Sequence, residues 1–508
     1  MRTVRILIWH GWLLEGSGSN VGTARTVQAW RAAGHDVVLM CQERHPERYP
    51  WIDAAGVVDE TGPGLVTERP ERGPASAGRC VLLRPAIGST LPVFVVDRYE
   101  GFDDVRSFAD LSDDELDAYV GANVAALRST DEWHRSEFVL TGHAVPGAVV
   151  GRRALGAGGY VSKIHGSDLE YAVRVQGRLR DLAGEGLGGA RAVLGPTVDV
   201  LERCAELVPE MRRVNRVIVA PGVDAEAFSL RPRAASLADV ASRLDADPDT
   251  ARGRPERTDE LVARALDARD APALGALAAT YDQAVPEPEA AHRLRALAAT
   301  ETPIVGYLGK LIPQKGVELV LGAHQLLTRD TAALIVGFGG HREWLAALAM
   351  ALRRGDRDAL MWLRQAGSMA IGSSAEPSDR RPVIFTGRLD HRYAPDALAA
   401  MQVMVVPSIL QEAFGMVAAE AAAAGALPVV ARHSGLAEVS GALESEVRRP
   451  GLFSFAPGEG AVARLATSIE RILSLPASER DELRAAVHAF VAREWTWEQT
   501  AAKILAAW

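Results

Sequence analysis

Short, continuously apolar runs recur along this chain, each followed by a stretch with helical spacing of its apolar positions. In the first part they predict strands at Val4–Trp9, Asp36–Cys41, Cys80–Arg84, Val93–Asp97, Phe138–Thr141, Tyr160–Ile164, Ala192–Leu194 and Val217–Ala220. Ser112-Asp113-Asp114-Glu115 is a capping box, which starts a helix and sets carboxylates on its positive end. Apolar strands alternating with helices argue for a parallel sheet covered on both faces. A second alternating region has strands predicted at Ile304–Leu308, Ala332–Val336, Val383–Thr386, Val403–Val406 and Pro428–Ala431. A helical piece, His341–Gly367, and a polar linker, Ser368–Arg381, interrupt it. Between the two regions, residues 229–300 are rich in Ala, Arg and Asp and carry no convincing strand. That length exceeds an ordinary loop, so an inserted helical subdomain or a partly mobile lid is expected, with a spacer role favoured over catalysis.

A chain of 508 residues exceeds one hydrophobic core, so two domains plus insertions are expected. The boundaries read as 1–228, an insertion or linker over 229–300, a second α/β domain over 301–477, and a C-terminal helix over 478–508. A hydrophobic content of 48% and a charged content of 24% are those of an ordinary globular protein. The net charge of −9 disfavours a broad nucleic-acid-binding face. Three widely spaced cysteines, Cys41, Cys80 and Cys204, fit a reducing interior better than a disulfide framework. None lies near another Cys or a His at metal-ligand spacing, so no metal site is expected. The N-terminal apolar run is too short for a signal peptide, and no segment is long enough to span a membrane. A cytoplasmic location is expected; peripheral contact with a membrane stays open, and oligomeric state is not legible.

Several motifs carry chemistry. In SILQEAFGMVAAE, Ser408 to Glu420, two carboxylates, Glu412 and Glu420, stand eight positions apart across a strand-to-helix junction. On one continuous helix they would diverge by about 80°, so Glu412 reads as loop and Glu420 as two turns inside the helix. Gly415, Met416 and Val417 then offer backbone N–H groups and a favourable dipole to a phosphate. In GKLIPQKG, after the second region's first strand, Lys310 and Lys315 can together neutralise a diphosphate as its bond to a sugar breaks. In the loop His10–Gly22, Gly16, Gly18 and Gly22 let backbone approach a ligand, but G-x-G-x-x-x-G departs from the dinucleotide fingerprint. His143 and His165 end or follow strands, where parallel sheets bind ligands. Gly337-Phe338-Gly339 and Thr386-Gly387-Arg388-Leu389 are tight turns after two further strands.

E-x-F-G followed by E-A-x-A-x-G-x-x-P-V-V-A resembles the donor-site signature of retaining glycosyltransferases of the GT4 type. The resemblance implies the GT-B fold: α/β, with two Rossmann-like domains facing across a cleft. It covers Val4–Arg44, Phe138–Phe228 and Ile304–Val439. It implies that Glu412 lies against the donor sugar, with Phe414 in the same motif, and that Glu420 holds the ribose hydroxyls. His165, from H-G-S-D, would sit beside the reacting sugar carbon, with Gly166, Ser167 and Asp168 shaping the turn. His143 becomes an acceptor-side candidate. Gly16 and Gly18 would touch acceptor or donor phosphate, Gly309, Lys310, Lys315 and Gly337 the donor, and Arg388 and Leu389 would bracket the base through backbone groups. Asp97 and Arg98 lie where such enzymes select acceptors. Three departures stand out: Lys310 replaces an arginine, Met401-Gln402 replaces Ala-Asp, and Ser434 replaces the first glycine of a G-G-x-x-E turn. The implied reaction moves a sugar, with a UDP-sugar as expected donor, to a hydroxyl acceptor without a metal or other cofactor. A nucleotide-sugar epimerase, a sugar phosphorylase of the same fold, or a catalytically silent nucleotide-sugar-binding module are the alternatives.

Overall fold

The computed structural model describes residues 2–68, 78–96, 99, 101–367, 369 and 381–508. It divides into two units, Met1–Gly222 with Thr496–Trp508, and Val223–Trp495. Among the described residues the first unit holds a nine-stranded sheet. Its strands run, side by side, Asn215–Ile218, Ala192–Gly195, Val161–Lys163, Phe138–Gly142, Arg5–Trp9, Asp36–Met40, Cys80–Pro85, Ala54–Asp59 and Gly62–Glu68. All neighbours are parallel except the last pair. The second unit holds a parallel sheet in the order Val383–Phe385, Ala332–Phe338, Ile304–Lys310, Val403–Val406, Leu427–Ala431 and Ser454–Phe455.

In each sheet the strand order reverses beside the first strand of the unit. The reversal falls between Arg5–Trp9 and Phe138–Gly142 in one, and between Ile304–Lys310 and Val403–Val406 in the other. Helices depart to opposite faces there and uncover the carboxyl ends of the strands. The strand residues Ile6, Leu7, Ile304, Val305, Leu334 and Ile335 are all fully buried, as continuous apolar runs covered on both faces require.

The helix predicted at Ser112 is present as Asp113–His134, with both capping-box bonds formed. The strand expected at Val93–Asp97 is instead Thr90–Val93, paired with Asp104–Ser107; Asp97 lies outside the described residues. The antiparallel pair Ala54–Asp59 and Gly62–Glu68 was not predicted, because its glycines and prolines break the apolar pattern. The piece His341–Gly367 is two helices, Arg342–Arg354 and Arg357–Ala366. Most of the linker Ser368–Arg381 lies outside the described residues. The last predicted helix is also two: Ala477–Glu494 stays with the second unit, and Trp497–Ala506, capped by Thr496, packs on the first. Trp495 contacts Phe414 and Phe490, whereas Trp497 packs on Gly22 and Gly222. Among the described residues, no helix is long and apolar enough to cross a membrane.

Residues 229–300 fold as helices Arg233–Asp245, Thr258–Ala268, Ala271–Leu277 and Ala290–Ala298 within the second unit. Buried ion pairs fasten them. Arg254 bonds Glu343 at 2.9 Å, with side chains only 2% and 0% exposed, and Tyr281 donates to the same carboxylate at 2.6 Å. Arg342 bonds Glu287 at 2.7 Å. Burial alone would raise the Glu287 carboxyl, but the charges of Arg342, Arg293 and Arg254 outweigh it and hold it down at about 2. Removing one member of such a pair strands the other charge away from water. Glu343→Leu should therefore lower stability by about 3–5 kcal/mol in urea unfolding. Arg254→Met in the same chain should recover much of that loss. A single-variant loss no larger than that of an exposed pair would contradict this role.

Candidate active site

The strand Ile304–Lys310 opens into the turn Pro313–Lys315, and Gly316 then starts the helix Val317–Leu326. The Tyr307 hydroxyl donates to the Lys310 carbonyl at 2.8 Å, and the exposed Lys310 side chain closes the strand. Lys315 Nζ lies 2.5 Å from Glu412 Oε1, and the Ser408 hydroxyl donates to the same oxygen at 2.8 Å. Thus the strand-end lysine and the loop glutamate, read 97 residues apart, are one ion pair. The Glu412 N–H donates to Ser434 Oγ at 3.0 Å, and the Gly435 N–H donates to the Glu412 carbonyl at 3.0 Å. Ser434 adopts φ +48°, which explains the family's glycine there; the serine accepts backbone strain and adds a hydrogen bond. The substituted Gln402 is also engaged, its side-chain carbonyl accepting the Ile304 N–H at 2.6 Å.

Gly415, with φ +103°, heads the helix Met416–Ala423, and a Cβ there would lie 2.5 Å from Leu436 Cδ2. Backbone N–H groups of the first turn therefore point out of the helix at this end. Glu420 is the fifth residue of this helix, just past its first turn rather than two turns inside. It is half-buried, and burial pushes its carboxyl up to about 7. Phe414 is buried against Trp495.

Three glycine turns meet beside this site. Gly337 donates its N–H to the Gly387 carbonyl at 2.9 Å, and any Cβ on Gly337 would lie 2.0 Å from the Gly309 carbonyl oxygen. Leu389 is buried, while Arg388 is exposed and lies 5.4 Å over the Phe338 ring.

In the first unit, Asp168 is fully buried and accepts N–H bonds from Ala144 and Gly166 at 2.7 Å and Leu169 at 3.1 Å. It lies 3.6 Å from His143 Nδ1. The His143 ring, 1% exposed, sits 4.5 Å from that of His165 and 4.4 Å from Trp12. Among the described residues His143 Nε2 has no hydrogen-bond partner. Pattern reading missed two further members, His10 and Lys163. His10 bonds Asn20 and Thr23, and burial, helped by His143, pushes it down to about 3. Burial brings Lys163 down to about 8. His165 is held well below its ordinary value by burial first, then by His143, Lys163 and His10. Both missed residues stand at strand ends, the signal that singled out His143 and His165. Gly16 is exposed with φ +87°, Gly18 is the first residue of the helix Gly18–Ala32, and Gly22 packs on Trp497. Asp97 and Arg98 lie outside the described residues. Among the described residues, no group of three or more His, Cys, Asp and Glu side chains could hold a metal ion.

Solved structures share the fold. The fold matches sucrose-phosphate synthase of Thermosynechococcus elongatus with a TM-score of 0.57 at 18% identity, covering 99% of this chain and 98% of that one. It also matches Anabaena HepE in complex with UDP and glucose, with a TM-score of 0.54 at 12% identity, over 99% of this chain and 98% of that one. The fold is GT-B, with two Rossmann-like α/β units. Residues 302–474 match the family of glycosyl transferases group 1, and this stretch contains most of the motifs that resemble the GT4-type group. The chain is 28% identical over 203 residues to glycogen synthase 2 of Nitrosococcus oceani, which is 40% of this chain and 36% of that protein. It is 27% identical over 314 residues to 2-deoxystreptamine glucosyltransferase of Streptomyces kanamyceticus, 60% of this chain and 67% of the relative. The match thus spans about a third of the first relative and two thirds of the second.

The raised Glu420 carboxyl has a sign that can be checked. The unfolded chain ionises Glu420 near its ordinary value of 4.5, the folded chain only near 7. Folding is thus opposed increasingly as pH rises between those values. Glu420→Gln should gain thermal stability relative to the parent as pH rises from about 4.5 to 7, and no further above that. A Tm difference that stays flat across the window would refute the assignment.

Proposed function

We propose that the protein transfers a sugar from a UDP-sugar to a hydroxyl acceptor with retention at the anomeric carbon. The observation that carries this reading is the Lys315–Glu412 ion pair set beside the open N-terminus of the helix Met416–Ala423. A diphosphate at that helix start gives Lys315 a second anionic partner, and Glu412 becomes available to accept hydroxyl hydrogens from the sugar. As the anomeric C–O bond to the diphosphate breaks, the leaving oxygen takes the electron pair. Lys315, Lys310 and the N–H groups of Gly415, Met416 and Val417 stabilise that charge. The acceptor hydroxyl attacks on the face the leaving group departs from, and its proton passes to the departing phosphate oxygen. No carboxylate acts as nucleophile.

His165 takes the role of lining the reacting face of the sugar, and its depressed basicity keeps it neutral there, so it hydrogen-bonds without repelling developing positive charge. His143 is its acceptor-side neighbour, and Gly16 and Gly18 are assigned to phosphate. Gly309 and Gly337 keep the donor pocket open to backbone approach, Phe414 seats the loop bearing Glu412, and Arg388 and Leu389 flank the base. Glu420 receives the ribose. The choice of uridine rests on Anabaena HepE, whose structures hold UDP and UDP-glucose. No resident cofactor is required by this chemistry, nucleic acid is no partner, and the site of action is the cytoplasm.

In a thermal-shift comparison, UDP should raise the midpoint more than GDP, ADP or TDP. At about 100 times Kd the stabilisation should approach about 2.7 kcal/mol. Equal response to all four, or to none, would contradict the donor assignment. Lys315→Ala should cut turnover with the identified donor by about 100- to 1,000-fold. Unchanged turnover in that variant would sink the phosphate role.

A further inference from the structure

The inserted helices reach the donor pocket through one short strip of backbone. The Glu287 N–H donates to the Thr386 carbonyl at 2.8 Å, and the Arg388 N–H donates to the Val285 carbonyl at 3.2 Å. Pro286 and Gly387 form an antiparallel bridge. Residues 285–287 therefore line the turn that follows the edge strand Val383–Phe385. On its other side, the Gly387 carbonyl is held by the Gly337 N–H at 2.9 Å. Gly387 has φ +71°, and a Cβ there would lie 2.7 Å from the Glu287 nitrogen and from the Val285 oxygen. Close approach of the strip thus requires glycine at this position.

One carboxylate holds the strip in place. Glu287, 4% exposed, accepts from Arg342 Nε at 2.7 Å on one oxygen and from Arg293 Nη1 at 2.7 Å on the other. The same Arg293 nitrogen donates to the Phe385 carbonyl at 3.0 Å. Arg342 begins the helix after the Gly337–Gly339 turn, donates its N–H to the Gly339 carbonyl at 3.0 Å, and lies 3.8 Å over the Phe385 ring. Glu287 is therefore tied to both turns assigned to the donor nucleotide. A buried ion pair of this kind is a poor source of net stability, since desolvation offsets most of the attraction. What it supplies is a fixed geometry, and the geometry it fixes here is that of the 386–389 turn.

We infer that the insertion is a base-selecting element of the donor site, in which Glu287 is a positioning residue acting through the strip 285–287 on the turn Thr386–Leu389. This rests on the proposed donor reading. The strip consumes the Arg388 N–H, so that donor is withheld from a base, and the hydrogen-bonding pattern left to the nucleobase is set by a segment outside the α/β core. Discrimination between bases depends on leaving mismatched polar groups unpaired, which requires a turn that cannot adjust.

The test is calorimetric titration of the full chain with UDP, GDP, ADP and inorganic pyrophosphate, for the parent, Glu287→Gln and Arg293→Ala. Arg293 is 28% exposed, so its variant keeps the experiment decisive if Glu287→Gln does not fold. The expected result is at least a tenfold weaker Kd for the preferred nucleotide and a ratio between preferred and second-best bases that shrinks at least threefold. Pyrophosphate affinity should stay within twofold of the parent. Variants that lose thermal stability yet keep the parent's ratio would overturn the inference and leave the donor reading intact, because the glutamate would then be structural only. A parent chain that binds no nucleotide would overturn both.

Discussion

The carboxyl ends of parallel strands are where this protein's candidate site residues are concentrated, and a topological constraint puts them there. A parallel neighbour can be reached only through a crossover, so each sheet must send its helices to one face or the other. Where the strand order reverses, adjacent crossovers part, and the loops between them are not covered. Lys310, Lys315 and Glu412 follow the two strands flanking the reversal in the second unit. His10 and His143 follow the two strands flanking it in the first. Residues distant in sequence thus converge without any of them being chosen for local structure.

The strands were legible where burial on both faces imposes an unbroken apolar run, as in Ile304–Lys310 or Phe138–Gly142. They were illegible where that pressure is relaxed. Ser454–Phe455 is a two-residue edge strand, and Gly62–Glu68 pairs on only one side. The helix break at Trp495 escaped notice because Thr496, its cap, sits inside an otherwise helical pattern. Site residues were legible in the same measure. Motif spacing singled out Lys315 and Glu412, but their direct bond is a property of two loops meeting, which no spacing encodes. Lys163 and His10 share the strand-end position of His143 and His165, and it is their burial in the fold that sets them apart from exposed strand-end residues such as Lys310.

The insertion illustrates the opposite limit. Its composition suggested weak helices, and its helices do carry modest apolar faces. Its attachment, however, runs through Arg254–Glu343 and Glu287–Arg342, pairs separated by 89 and 55 residues. Long-range buried charge pairs carry no local periodicity, so the segment read as a spacer when it is an integral part of the second unit.

The two units solve the problem of concentrated charge differently. In the second unit, cation and anion are placed in contact and half-buried, so Lys315 and Glu412 neutralise each other while keeping access to water. In the first, three imidazoles and a lysine cluster, and the nearby carboxylate of Asp168, 3.6 Å from His143, is already occupied by backbone N–H groups. Burial there resolves the excess by making the cationic forms unfavourable, driving His10 and His165 toward neutrality and bringing Lys163 down to about 8. Two imidazoles that burial holds toward neutrality, His10 and His165, and a charged, exchangeable lysine–glutamate pair are different tools. The first presents hydrogen bonds without charge, and the second can trade its internal partner for an anionic ligand at little net electrostatic cost.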